Sequence, residues 1–365
     1  MLKKCLFILP LLLFFALTPP MASAAEDEAF FAEHDWDELA AMVLEESRGD
    51  ELTVALGYCN TVTGEEHYFN GDEYFSGASL YKLPLNMYCA EQILSGERAW
   101  DTETLGRPYE EIQVSSLTYS NNPLSLQLVR ELGGWAEFRK LIAPYMGEDS
   151  SNESFTEKTT LFTARQMTRC TALLATESDR FPRVIDCLLD SAPDSFLNYA
   201  DVPYDVAQKY GNNMEEGNVF HVAGIVYTED PIVLVVLTRN LAAQRTVMAR
   251  YCELMCGYTN YQRTLRLEAE QEAQRLAEEA EREARRLAEE AEQAAAEKAA
   301  EEEAARLVQE AEAQRLAEEE AIREAADNLA AERAAAQKKT LHFIGIAALS
   351  LCGIIAAILI FHKRK

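Results

Sequence analysis

The sequence predicts an α+β domain followed by a long charged helix and one C-terminal apolar span. Three observations lead there. Runs rich in Val, Ile and Leu stand at both ends of residues 25–260, with helical sequence between them. Neither Gly nor Pro occurs between Tyr258 and Ile344. Residues 341–361 are apolar apart from His342 and Ser350.

Each element follows in order. The opening MLKKCLFILPLLLFFALTPPMASAAEDE runs from basic through apolar to small residues. With Ala22-Ser23-Ala24 as the cleavage site, residues 1–24 are expected to be a secretory signal peptide. Residues 33–47 pattern as an acidic helix and Leu52 to Asn60 as a strand, turned at Thr63-Gly64 into a second short strand. A helix is expected to start near Ser79, and helical segments to fill much of 80–190. Asp205 to Lys209, His221 to Thr228 and Ile232 to Arg239 pattern as three strands, the last two joined by Glu229-Asp230-Pro231. A helix over 241–256 leads into the stalk.

The stalk, 261–339, is built from strong helix formers. Arg-Leu-Ala-Glu-Glu-Ala-Glu occurs at 275–281 and again at 286–292, with opposite charges at i,i+3 and i,i+4 spacing. Leucines are sparse, so a single charged helix and a loose coiled coil, with homo-oligomerisation through the stalk, both fit. Residues 340–361 are expected to cross a membrane, with the basic tail 362–365 on the cytoplasmic side. Together with the signal, this predicts a bacterial cell-surface protein with its globular domain outside.

The formal net charge of -27 excludes a nucleic-acid partner, since a polyanion would be repelled. Of the eight cysteines, Cys5 and Cys352 lie in the terminal apolar segments. The other six, Cys59, Cys89, Cys170, Cys187, Cys252 and Cys256, fit either disulfides or buried free thiols. Cys252 and Cys256 lack a His or Cys cluster to complete a metal site, so neither metal nor organic cofactor is expected.

Chemistry concentrates in three short elements: Ser79-Leu-Tyr-Lys82, Ser120-Asn-Asn122 and Lys209-Tyr-Gly211. Serine and lysine three apart on a helix share one face, and a serine at a helix N-terminus meets the positive end of the dipole. Burial and a second cation, Lys209, can lower the pKa of Lys82 until it accepts the serine proton. Ser120 is then placed to pass a proton between the lysines and a leaving nitrogen. Asn122 can bond a substrate amide, and Gly211 lets a substrate backbone approach the edge strand. Singly, each motif is common, and Ser150-Ser-Asn152 matches the second pattern as well.

In combination and order, these elements resemble the class A β-lactamase and penicillin-binding-protein superfamily over roughly 50–255. Thr159 to Met167 is similar to the family's helix start after its active-site loop. The resemblance implies a β-lactamase/transpeptidase-like fold, with Ser79 as nucleophile, Lys82 as activator, Ser120 as proton shuttle and Lys209 as carboxylate partner. It implies an oxyanion hole from the N–H groups of Ser79 and Asn212. The substrate class it implies is a β-lactam or a D-Ala-D-Ala-like peptidoglycan peptide, hydrolysed by a β-lactamase or processed by a penicillin-binding D,D-peptidase. A non-catalytic binding ectodomain on a stalk is the reading from another class.

Departures from the family pattern are specific. Tyr210 stands where Thr or Ser is usual, and Phe220 to Gly224 lacks the arginine that holds a substrate carboxylate. Glu148 and Asn152 have the spacing of the deacylating glutamate and its asparagine. Their loop is short, however, and Ser151 replaces the usual leucine.

Overall fold

The structure, a computed structural model, describes residues 24–315 apart from residue 216. The expected signal (1–24) apart from Ala24, the end of the stalk from 316 and the expected span at 340–361 lie outside the described residues. Among the described residues no helix is long and apolar enough to cross a membrane.

The acidic helix expected over 33–47 is α2 (Trp36–Ser47), and a further helix, α1 (Ala24–Glu33), precedes it. Asp35 makes the break. Its carboxylate accepts from the Glu38 N–H, while Glu38 reaches back to the Asp35 N–H, a capping box that starts α2 afresh. Strands β1 (Val54–Asn60) and β2 (Glu66–Phe69) form the expected hairpin, and β3 (Phe75–Ser76) follows. The helical half contains α3 (Lys82–Ser95), the small hairpin β4 (Glu103–Thr104) and β5 (Arg107–Pro108), α4 (Tyr109–Leu117), α5 (Asn122–Glu131) and α6 (Trp135–Ile142). Then come α7 (Glu153–Thr156), β6 (Leu161–Phe162), which pairs with β3, α8 (Ala164–Thr176) and α9 (Val184–Leu189). As the resemblance implies, a helix starts after the loop: Thr163 caps α8 in a second capping box, with Gln166.

The chain then returns to the sheet through β7 (Val206–Asn213), β8 (Val219–Val226) and β9 (Ile232–Thr238). The five-stranded sheet has the order β2-β1-β9-β8-β7, and its pairs are antiparallel. The β7 strand is longer than expected and carries Lys209, Tyr210, Gly211 and Asn212 within it, at the sheet's edge. Every residue of β1 and β9 is buried, as central strands covered on both faces must be.

Successive residues point to opposite faces, so the sheet separates two apolar clusters. Ala207, Ala223, Ile225, Val233, Val235 and Leu237 pack with α3, α4 and α8. Val206, Val222, Leu234 and Val236 pack with α2 and with Val247, Met248, Tyr251 and Met255 of α10 (Gln244–Arg315). The compact unit extends to Gln271, past the expected boundary at 260. Within this stretch Arg263 and Arg266 of α10 reach Asp230 in the β8–β9 turn at 3.4 and 2.7 Å. Over 272–304 the helix is mostly exposed and carries i,i+3 and i,i+4 pairs such as Arg275–Glu272 and Arg275–Glu279. All six cysteines within the described residues are buried free thiols.

Candidate active site

Ser79 lies in a turn between β3 and α3, and α3 itself begins only at Lys82. The expected helix start near Ser79 is therefore displaced. The turn is closed by i,i+3 bonds from the Leu80 N–H to the Gly77 carbonyl (2.9 Å) and from the Lys82 N–H to the Ser79 carbonyl (3.2 Å). Ala78, just before Ser79, is left-handed with φ 45°, and Ser120 has φ 55°. Non-glycine residues in this region cost about 1–3 kcal/mol each and concentrate at functional sites.

The three motifs meet. Lys82 Nζ lies within hydrogen-bond distance of Ser79 Oγ (2.9 Å), Ser120 O (2.6 Å), Ser120 Oγ (3.1 Å) and Asn122 Oδ1 (2.6 Å). Lys209 Nζ donates to Ser120 Oγ (3.1 Å) and to Tyr210 O (2.9 Å). Ser120 Oγ thus bridges two amines whose side chains are both fully buried. All these bonds go to hydroxyl, carbonyl or amide oxygens, none of them a carboxylate. Burial pushes Lys82 down to about 7. It pushes Lys209 well below its ordinary range, and the charge of Lys82 lowers it further.

Proton counting shows what this arrangement can do. A neutral Lys82 has two N–H groups and one lone pair. Ser120 O and Asn122 Oδ1 can only accept, and at 2.6 Å they take the two N–H groups. The lone pair is left for the Ser79 O–H, the geometry of a general base beside its nucleophile.

Asn122 belongs to the lysine's surroundings as well as to the expected substrate wall. With Oδ1 on Lys82, its amide N–H groups remain for a substrate carbonyl. At Gly211 an added Cβ would lie 2.9 Å from the Ser79 nitrogen, so only glycine lets β7 pass this close to the nucleophile turn. The Ser79 N–H has no protein acceptor among the described residues. Asn212, the second expected oxyanion donor, follows on the same edge strand and is exposed.

Tyr210 is occupied elsewhere. Its ring stacks on Phe196 (4.7 Å), which stacks in turn on Phe220 (4.5 Å). Arg239 does not replace the missing carboxylate-binding arginine, because its donors hold Leu52 O, Tyr74 O and Glu73. The loop pair is also committed to other bonds. Glu148 accepts from Gln166 Nε2 at 3.0 Å, and Asn152 Oδ1 caps α7 by accepting from Ser154.

Four positioning residues escaped the motif search. His221, opposite Gly211 in the sheet, accepts the Thr238 N–H at Nδ1 (3.0 Å) and donates from Nε2 to Ser76 O (2.6 Å). That fixes a neutral imidazole behind the nucleophile turn, and burial lowers its pKa to about 4. Arg139, fully buried, holds Phe155 O and Leu161 O and so pins the loop before α8. Gln166 holds Glu148. Asn86, one turn after Lys82, is buried in a polar network under the site. For His221 and Asn86 the sequence signal is a polar residue inside an otherwise apolar run; Arg139 and Gln166 stand among other polar residues and carry no such signal.

Comparisons with known proteins agree with this fold. Residues 36–111, which carry Ser79 and Lys82, match the model of the Beta-lactamase enzyme family. No curated protein matches the chain. Among solved structures, a β-lactamase from Chitinophaga pinensis DSM 2588 is 18% identical at TM-score 0.50, covering 60% of this chain and 96% of that one. A class A β-lactamase of the last common ancestor of Gram-negative bacteria is 16% identical at TM-score 0.51, covering 60% and 97%. A mutant of that ancestor, bound to 5(6)-nitrobenzotriazole, is 18% identical at TM-score 0.53, covering 61% and 98%. The domain thus shares the fold of class A β-lactamases, and its residues 36–111 are similar to the Beta-lactamase enzyme family.

Proposed function

We propose that the chain is a membrane-anchored extracellular serine acyl-transfer enzyme, acylated at Ser79 by β-lactams or D-Ala-D-Ala-like peptides. The observation that carries this reading is the 2.9 Å contact between Lys82 Nζ and Ser79 Oγ, with the amine buried and its pKa near 7. Ser79 Oγ attacks the substrate carbonyl and its proton passes to Lys82. The carbonyl oxygen takes up negative charge beside the Ser79 N–H. As the C–N bond breaks, Ser120 Oγ hands a proton from Lys82 to the leaving nitrogen, and the acyl group remains on Ser79. Lys209 stays positioned to attract a substrate carboxylate.

Hydrolysis of that acyl group is slow in this reading. The expected base, Glu148, is bonded to Gln166, and no carboxylate is among the partners of Lys82. The chain therefore behaves as a penicillin-binding protein or acyl-trapping sensor more than as a fast β-lactamase. The anchoring and the outside location rest on the N-terminal signal pattern, the apolar segment 341–361 and the basic tail.

The test is the intact mass of the full chain, followed over time after adding a penicillin, beside a Ser79→Ala control. A Ser79-dependent mass gain that persists is expected. Rapid decay of that gain overturns the slow-hydrolysis part and makes the chain a β-lactamase. No gain from folded protein overturns acylation, and penicillin affinity retained in both proteins then supports a non-catalytic binding ectodomain.

A further inference from the structure

We propose that Asn86, Ser116 and Ser125 form a buried relay that holds the two halves of the active site in register, and that they are positioning residues for the Lys82 amine. This inference rests on the acylation reading above.

The two halves come from different elements. Ser79 and Lys82 belong to the turn and first residue of α3, whereas Ser120 and Asn122 flank Asn121 at the start of α5. They touch directly through Lys82 Nζ. Beneath that contact they are joined again. Asn86 Nδ2 donates to the Lys82 carbonyl (2.7 Å) and to Ser116 Oγ (2.9 Å). Ser116 Oγ and Ser125 Oγ are 2.8 Å apart, and Ser125 Oγ donates to the Asn121 carbonyl (2.6 Å). Tyr109 OH closes the chain by donating to Asn86 Oδ1 (3.2 Å). Asn86, Tyr109, Ser116 and Ser125 are all fully buried.

Every proton in this chain has one direction. Both ends are carbonyl oxygens, which only accept, so the Ser125 hydroxyl must point at Asn121 and the Ser116 hydroxyl at Ser125. The Asn86 amide must then spend one N–H on Ser116 and the other on Lys82. A buried network satisfied in this way specifies one arrangement, because any flip leaves a donor or acceptor bare in a medium that penalises it.

The contact above the relay lacks this constancy. During acylation Lys82 Nζ alternates between two and three N–H groups, so its bonds to the Ser79 and Ser120 hydroxyls must reverse direction. The side chains of the relay stay in one protonation state meanwhile. Their bonds persist through the cycle and keep the Ser120–Asn122 turn one fixed distance from α3.

The experiment compares the full chain with its Ser125→Ala and Ser116→Ala/Ser125→Ala variants. Ser125→Ala leaves the Ser116 hydroxyl without its acceptor, while the double variant removes both hydroxyls. Two readouts are taken: the pH profile of penicillin acylation, and the titration of Lys82 followed by NMR on chain labelled with 13C at lysine Cε. Both variants are expected to fold, to acylate about tenfold more slowly, and to shift the Lys82 midpoint upward as water reaches the loosened amine. Variants that melt lower yet keep the wild-type acylation profile and Lys82 midpoint would overturn the relay, leaving the network a role in stability alone. If wild-type chain takes no penicillin, the acylation reading fails, and the Lys82 titration still decides the relay.

Discussion

The two faces of the central sheet are built by opposite rules. The face toward α2 and α10 is closed by Val222, Leu234 and Val236 against Leu39, Val43, Met248 and Met255. Its main polar exception, Gln208, has its amide bonded at both ends, accepting from the Leu197 N–H and donating to backbone carbonyls between Ser191 and Ser195. The face toward α3, α4 and α8 holds Lys209 and His221 on its strands and meets Lys82 and Asn86 on α3, all fully buried. On the first face burial stabilises directly, at about 25 cal/mol per Å² of apolar surface. On the second it opposes the charged forms of two amines and so destabilises the fold while making a lysine basic enough and neutral enough to act. One face maintains the fold that the other strains.

The sharpest break of this comparison is at Lys82. Lys82→Met keeps side-chain volume and removes the buried amine, so acylation should fall on the order of a thousandfold while the melting temperature rises. Acylation rates and thermal denaturation on the same sample check both signs. A variant that loses stability along with activity would show the lysine to be structural. Leu234→Ala on the opposite face should cost about 2–5 kcal/mol in denaturant unfolding and leave the pH midpoint of acylation where it is.

The pH responses should also separate. Acylation needs neutral Lys82, so its rate should rise about tenfold per pH unit below about 7 and level off above it. His221 acts on stability. Its pKa is lowered from 6.5 to about 4, so its contribution is complete above 6.5 and is lost as pH falls toward 4, by up to about 3 kcal/mol. Acid unfolding of the wild type beside His221→Asn reads this difference. The smallest effect is expected at Asp230→Asn, which weakens the Arg263 and Arg266 contacts in the β8–β9 turn. It should lower the melting temperature less than Leu234→Ala and leave acylation unchanged.

Much of the fold was legible because burial leaves a periodic trace. The strands β1, β8 and β9 stand within a few residues of where their apolar runs put them, and α8 starts where the resemblance implied. The misplaced boundaries have local causes. Asp35 caps α2 and sets its start at Trp36 instead of residue 33, and i,i+3 bonds keep Ser79 out of α3. The β7 strand runs on through Asn213 because an edge strand needs a partner on only one side, and Tyr210 and Asn212 carry no inward apolar pattern.

The sequence by itself determined which residues could do chemistry. Ser79, Lys82, Ser120, Asn122 and Lys209 are recognisable from type, spacing and order, since a nucleophile and its activators must be those residue types. The charged helix was equally plain, because its signal lies in contiguous composition. Only the tertiary structure decided what each group touches. It spent Glu148 on Gln166, turned Tyr210 into a stack with Phe196, and drew His221 and Asn86 under the site. The physical reason is range. Propensity and periodicity act within a few residues, whereas a hydrogen bond such as Lys82 to Ser120 joins positions 38 apart and exists only once the chain has closed around it.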